Sequence, residues 1–225
     1  MSWFAGAIIA GITSFAATNI DDIVILMLFF AQVNSTFRRR HIVIGQYLGF
    51  TVLIFTSLPG FFGGLIVPKA WIGILGLVPI AIGVSRLVNR DKDEQDEQDE
   101  QDVQAVSGEF NRSRADTSVL SILGSLLNPQ TFNVAAVTFA NGGDNIGIYV
   151  PLFASCDLAS LGVILTVFFL LIGVWCYIAY RLTRQPAVAQ VLTRYGKAIV
   201  PFVLIALGVF ILIESGTYRL LPLFQ

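Results

Sequence analysis

Residues 3–31 form an apolar run that carries charge at two adjacent positions only, Asp21 and Asp22, inside Thr18-Asn19-Ile20-Asp21-Asp22. A bilayer-spanning helix needs about 20 apolar residues, and this run exceeds that length. The two carboxylates therefore fall where an ionised acid costs roughly 2.5 to 3.5 kcal/mol to insert, and such residues face a protein interior that serves ions, protons or substrates. Composition agrees. With 55% hydrophobic residues, 13% charged and a mean hydropathy of +0.75, 225 residues leave too little polar surface for a soluble globule. The chain reads as a polytopic all-α membrane protein, and a lipid bilayer rather than a nucleic acid is its expected surrounding.

Met1-Ser2-Trp3-Phe4-Ala5 lacks the basic start of a signal peptide, so the first apolar segment is expected to remain as a helix. Six spans follow from the apolar runs, at about 3–32, 41–67, 70–87, 128–154, 158–180 and 197–214. Pro59-Gly60 and Gly63-Gly64 weaken the far end of the second, and Pro201 stands in the first turns of the sixth. Asp157 has the position of an N-cap for the fifth. Gly142-Gly143 immediately before Asp144, with Pro151 beyond, predicts an unwound or kinked fourth span. Broken helices at that depth are tolerated where they line a cavity or coordinate an ion. Cys156 and Cys176 form no CxxC or Cys/His cluster and read as packing residues.

Residues 89–117 differ in kind. Asp93-Glu94-Gln95 recurs as Asp96-Glu97-Gln98 and Asp99-Glu100-Gln101, a tract with nothing to bury, expected to be a disordered spacer. It divides the chain into a first three-helix repeat over 1–88 and a second over 118–225. The halves match. Asp21-Asp22-Ile23 falls on Asp144-Asn145-Ile146 with an offset of 123, and Ile80-Ala81-Ile82-Gly83-Val84 falls on Ile205-Ala206-Leu207-Gly208-Val209 with an offset of 125. An odd number of crossings per half makes the repeat an inverted one. Arg38, Arg39, Arg40, Arg86, Arg90, Lys92, Arg112, Arg114, Arg181, Arg184, Arg194 and Lys197 gather on one side, against Lys69 and Arg219 on the other. The basic side is then cytoplasmic, with the acidic spacer there and both ends of the chain outside.

Thr18, Asp21 and Asp22 share a helical face at i, i+3 and i+4, and Asn141, Asp144 and Asn145 repeat the arrangement. An in-plane pseudo-two-fold would join the faces, gathering a hydroxyl, two amides and three carboxylates, all hard oxygen ligands for a cation. Ser14, Gln46, Asn133 and Thr138 are further polar candidates without an order among them. No lysine, arginine or histidine is expected at this depth, and His41, after three arginines, reads as interfacial. Three crowded carboxylates repel one another, so the empty site is expected to hold protons that a divalent cation displaces, with Asp21, Asp22 and Asp144 sharing metal and proton duties.

The motifs Thr18-Asn19-Ile20-Asp21-Asp22-Ile23-Val24 with Leu28-Phe29-Phe30, and Ala140-Asn141-Gly142-Gly143-Asp144-Asn145-Ile146-Gly147-Ile148-Tyr149 with Pro151-Leu152-Phe153, resemble those of the bacterial cadmium resistance transporters within the lysine exporter superfamily. The resemblance spans nearly all of the chain outside the acidic tract. Asn128-Pro129-Gln130 is similar to the Asn-Pro-Lys element of the wider superfamily, with glutamine in place of lysine. The resemblance implies six helices and export of a divalent metal, the metal being substrate rather than cofactor. The expectation is an inner-membrane cation exporter driven by proton antiport, with no enzymatic activity and with homo-oligomerisation left open. Export of a small organic cation such as a basic amino acid is the alternative. An intramembrane aspartyl protease is a remote one, since Gly142-Gly143-Asp144 echoes its motif but the Pro-Ala-Leu and Tyr-Asp elements are missing.

Overall fold

Backbone polar groups in hydrocarbon must be satisfied within the protein, and helices do this segment by segment. The computed structural model describes residues 3–88 and 128–217, all helix and turn without a strand among them. The elements are α1 (Trp3–Asn19), α2 (Asp22–Ala31), α3 (Arg39–Ile66), α4 (Lys69–Ile72), a 3-10 turn (Gly73–Gly76), α5 (Leu77–Val88), α6 (Pro129–Asn141), α7 (Ile146–Ser155), α8 (Leu158–Leu182) and α9 (Pro186–Glu214). The acidic tract, the basic residues Arg90, Lys92, Arg112, Arg114 and Arg219, and both chain ends lie outside the described residues.

At 28 residues α3 is about 42 Å long at 1.5 Å per residue, and α8 has 25 residues. Both are long and apolar enough to cross a membrane, and α1 with α2 adds a third crossing if the bent pair is one span. The remaining apolar pieces are shorter, at Gly73–Val88, Ile146–Ser155 and Ala198–Glu214. Large apolar side chains lie outward, among them Phe55 at 66% exposed, Ile66 at 85% and Leu170 at 67%. A water-soluble monomer rarely exposes so much apolar surface, whereas lipid accepts it.

Several boundaries depart from the sequence expectations. The first span is not one helix over 3–32: it bends by 61° between α1 and α2. Asn19 turns its amide back onto Phe15 O at 2.8 Å, and Asp21 Oδ1 accepts the Asp22 N–H at 3.2 Å as the cap of α2. Short polar side chains that compete for backbone partners end one helix and start the next. The third span, expected as one helix over 70–87, is divided by the 3-10 turn. The second span agrees with its expected bounds of 41–67, since α3 runs through Pro59 to Ile66. The last helix begins at Pro186, a residue suited to a first turn, so Pro201 is interior to it. His41, in the first turn of α3 beside Arg39 and Arg40, is buried at 6%. Its Nδ1 accepts the Arg38 N–H at 3.3 Å and its ring stacks on Phe37. Two further expectations hold: Asp157 caps α8 by accepting the Ser160 N–H at 2.7 Å, and the fourth span breaks at Gly142-Gly143 between α6 and α7.

The glycines of α3 explain how the broken span is held. A Cβ on Gly45 would sit 2.8 Å from Thr131 O, on Gly49 2.5 Å from Ala135 O, and on Gly60 2.5 Å from Val150 O, while one on Gly64 would collide with Ala154 O. One unbroken helix thus lies backbone to backbone on both α6 and α7. Membrane helices associate through such close van der Waals contact, because lipid offers no hydrophobic drive. Beside this seam Phe15, Phe50, Tyr149 and Phe168 form an aromatic core, with Tyr149 and Phe168 ring centroids 5.0 Å apart.

Candidate cation site at the two helix breaks

The two breaks occupy matching positions in the halves, Asp21-Asp22 in one and Asp144-Asn145 in the other, and the structure brings them into contact. Asp22 is 5% exposed. Its Oδ1 accepts from Asn141 Nδ2 at 2.5 Å, at the end of α6, and its Oδ2 accepts from Gln46 Nε2 at 3.4 Å, on α3. Gln46 is oriented in turn by Thr138, whose hydroxyl donates to Gln46 Oε1 at 2.6 Å. A buried carboxylate is therefore served by neutral amides from two other helices. Asp21 lies beside it, half-buried, and both Asp21 and Asp144 act on Asp22 by electrostatic repulsion.

The remaining site residues tie the breaks together. The Thr18 hydroxyl donates to Ser14 O at 2.9 Å and accepts from the Tyr149 hydroxyl at 2.7 Å. Asn19 Nδ2 donates to Tyr149 Oη at 3.0 Å, and Trp175 Nε1 on α8 caps Asn19 O at 2.6 Å. Asn145, its amide nitrogen turned toward the acceptors around it, donates to Asp144 Oδ1 at 3.3 Å and to Thr18 O at 3.2 Å. Thr18 and Asn145 thus join the end of α1 to the second break, while Asn141 joins the end of α6 to the first. Asn19 Oδ1 is buried with no hydrogen-bond partner, an electron-rich group at the carbonyl end of α1, where the helix dipole already favours positive charge. Tyr149→Phe is expected to lower stability by about 1 to 3 kcal/mol, because it leaves buried Thr18 and Asn19 groups without their partner; thermal unfolding in detergent measures it.

One expectation is corrected. The three carboxylates do not meet at a depth free of cations, since Arg86 Nη2 lies 3.0 Å from Asp144 Oδ2. From sequence Arg86 counts as a loop cation after the third span, yet its long apolar stem lets the guanidinium reach away from its own backbone position. Among the described residues no three of His, Cys, Asp and Glu stand close enough to hold a metal ion. A cation at Asp22 would take its other ligands from amide, hydroxyl and carbonyl oxygens, a hard set. The cysteines stand apart from such a role: Cys176 is in the apolar core and Cys156 turns its thiol to Leu152 O at 3.1 Å.

Of the unranked candidates, Gln46 and Thr138 reach the site, whereas the Ser14 hydroxyl turns back to Ala10 O at 2.6 Å and Asn133 is half-buried on α6. Asn19, Tyr149, Trp175 and Arg86 are site residues that reading the sequence did not select. Asn19 and Tyr149 had a signal, since both lie inside the Thr18–Val24 and Ala140–Tyr149 motifs that carry the family resemblance. Trp175 had none, being one aromatic in a long apolar run.

No curated protein and no solved structure matches the chain. The family described as cadmium resistance transporter matches residues 15–224, which include both breaks, α3 and all but the last residue of the second half. The chain belongs to the cadmium resistance transporter family.

Proposed function

We propose that the protein is a secondary transporter that exports a divalent metal cation of the cadmium class across the bacterial inner membrane in exchange for protons. The family is one of transporters and not of enzymes, which disposes of the protease alternative. One observation carries the proposal: the Asp22 carboxylate is buried between two helix breaks with neutral amides as its hydrogen-bond partners. An ionised acid so placed demands a cation or a proton. Exchange of one for the other is the coupling step, with Asp21 and Asp144 adding negative charge, and Thr18, Asn141 and Asn145 shaping the site. The aromatic side chains nearby are packed on one another, which favours a small inorganic cation over an organic one.

Six crossings in two inverted halves belong to the same proposal, and the packing of helix ends supports them. The start of α3 meets α6 at Gly45 and its end meets Ala154 on α7 at Gly64, so α6 and α7 run alongside α3 in one direction. Arg39 stacks on Tyr180 at 4.2 Å, which puts the start of α3 and the end of α8 together, with Arg181 close by. At the opposite end Trp3, Ser155, Asp157 and Glu214 line one cavity. The first of these ends is arginine-rich, and the positive-inside rule makes it cytoplasmic.

The test is uptake by inverted membrane vesicles offered a panel of divalent metals, with an internal pH dye. Cadmium or a related metal should accumulate as the lumen becomes alkaline. Metal accumulation without proton movement would remove the antiport scheme. Accumulation of a basic amino acid with no metal would move the substrate to the organic class.

A further inference from the structure

Among the described residues the ion pair is Arg86–Asp144, and its two ends belong to different packing groups. Arg86 is in the last turn of α5, which together with the 3-10 turn before it is pressed onto α9: a Cβ on Gly76 in that turn would lie 2.7 Å from Gly208 O, and one on Gly83 in α5 2.7 Å from Pro201 O. Asp144 lies in the break between α6 and α7, and those helices are seated on α3. The pair is thus a polar tie between α5 with α9 on one side and the broken span with α3 on the other. The side chains are 37% and 54% exposed, so a competing ion can reach them. The two carboxylate oxygens are divided, Oδ1 facing Asn145 and Oδ2 facing Arg86.

A guanidinium at 3.0 Å gives Asp144 the positive charge that a bound metal would otherwise give. A divalent ion and a guanidinium repel, and both cannot hold Asp144 Oδ2 at ligand distance. We propose that Arg86 is a substitute cation: it neutralises Asp144 while no divalent ion is bound, and an ion that recruits Asp144 displaces it and unties α5 from the broken span. This rests on the transport reading of the site, and adds a residue that sets cation affinity and links occupancy of the site to the docking of α5.

The experiment is calorimetric binding of Cd2+ to the purified full chain, alongside thermal unfolding without metal. Arg86→Gln should tighten binding roughly three- to tenfold, a modest change because the pair is partly exposed and screened, while lowering the melting temperature. Arg86→Lys, which keeps the charge, should stay within about twofold of the unaltered protein. In an Asp144→Asn background the gain from Arg86→Gln should vanish, because the competitor and its target are then both gone. A merely structural Arg86 would lower affinity and melting temperature together, and that result overturns the proposal, as does unchanged affinity or a gain that persists in Asp144→Asn. If Arg86→Gln fails to fold, Arg86→Met keeps the aliphatic stem and carries the same expectations. Failure of the unaltered protein to bind any divalent cation overturns the transport reading and this inference with it, whereas normal binding indifferent to Arg86 overturns this inference alone.

Discussion

Asp22→Asn should reduce divalent-cation affinity by at least about a hundredfold and abolish metal-dependent proton release, in a protein that remains folded. The size follows from position. Changing residues that merely orient metal ligands costs roughly 10- to 100-fold in affinity, and Asp22 is the buried carboxylate that those residues orient here. Folding should survive because asparagine keeps the volume and the network can reverse. The new amide oxygen accepts from Asn141, while Gln46 turns over so that its Oε1 accepts from the new amide nitrogen and its Nε2 donates to the Thr138 hydroxyl. Removal of a buried negative charge also relieves desolvation and the repulsion from Asp21 and Asp144. The melting temperature without metal should accordingly be unchanged or higher. Calorimetry with Cd2+ and a pH-indicator titration read both effects, and an Asp22→Asn protein with undiminished affinity would place the cation elsewhere.

Gly60→Val should be the most damaging change at a position with no polar chemistry. A Cβ there would lie 2.5 Å from Val150 O and 3.0 Å from Val150 Cα, and backbone cannot swing aside as a flexible side chain does. The α3–α7 seam would have to open, losing close contact along its length, at a cost of about 3 kcal/mol or more, beyond ordinary overpacking. Because α7 starts at the second break, the displacement should also loosen the Tyr149–Thr18 link and weaken cation binding. Gly63→Val is the control, since a Cβ there meets nothing within 4 Å and should change stability by less than about 0.5 kcal/mol. Thermal unfolding in detergent compares them, and equal melting temperatures would mean that the seam does not bear the packing assigned to it.

The class of this protein and the positions of its buried polar residues were legible in the sequence because both are short-range properties. Apolar runs report the solvent a helix will meet, and Asp21-Asp22 and Asp144-Asn145 announce themselves as polar intrusions in such runs at one repeated offset. Gly142-Gly143 marked the second break through its own backbone freedom, and Asp157 marked a helix start through a bond to a residue three positions away. Even here the first break escaped, because Asn19 and Asp21 divide α1 from α2 by side-chain bonds that no glycine or proline advertises.

Only the tertiary structure decided which polar groups are partners. Asp22 with Gln46 and Asn141, Asn19 with Trp175, and Arg86 with Asp144 are separated in the chain by 24, 119, 156 and 58 positions respectively. Such pairs depend on the rotation and separation of whole helices. Those are set by where glycines let backbones touch, Gly45 to Gly64 along α3, Gly76 in the 3-10 turn and Gly83 along α5, and helical periodicity gives the face of one helix but not which neighbour that face will meet. Arg86 shows the difference most directly: from sequence it is one positive charge among many at a membrane boundary, and packing makes it the counter-ion of Asp144.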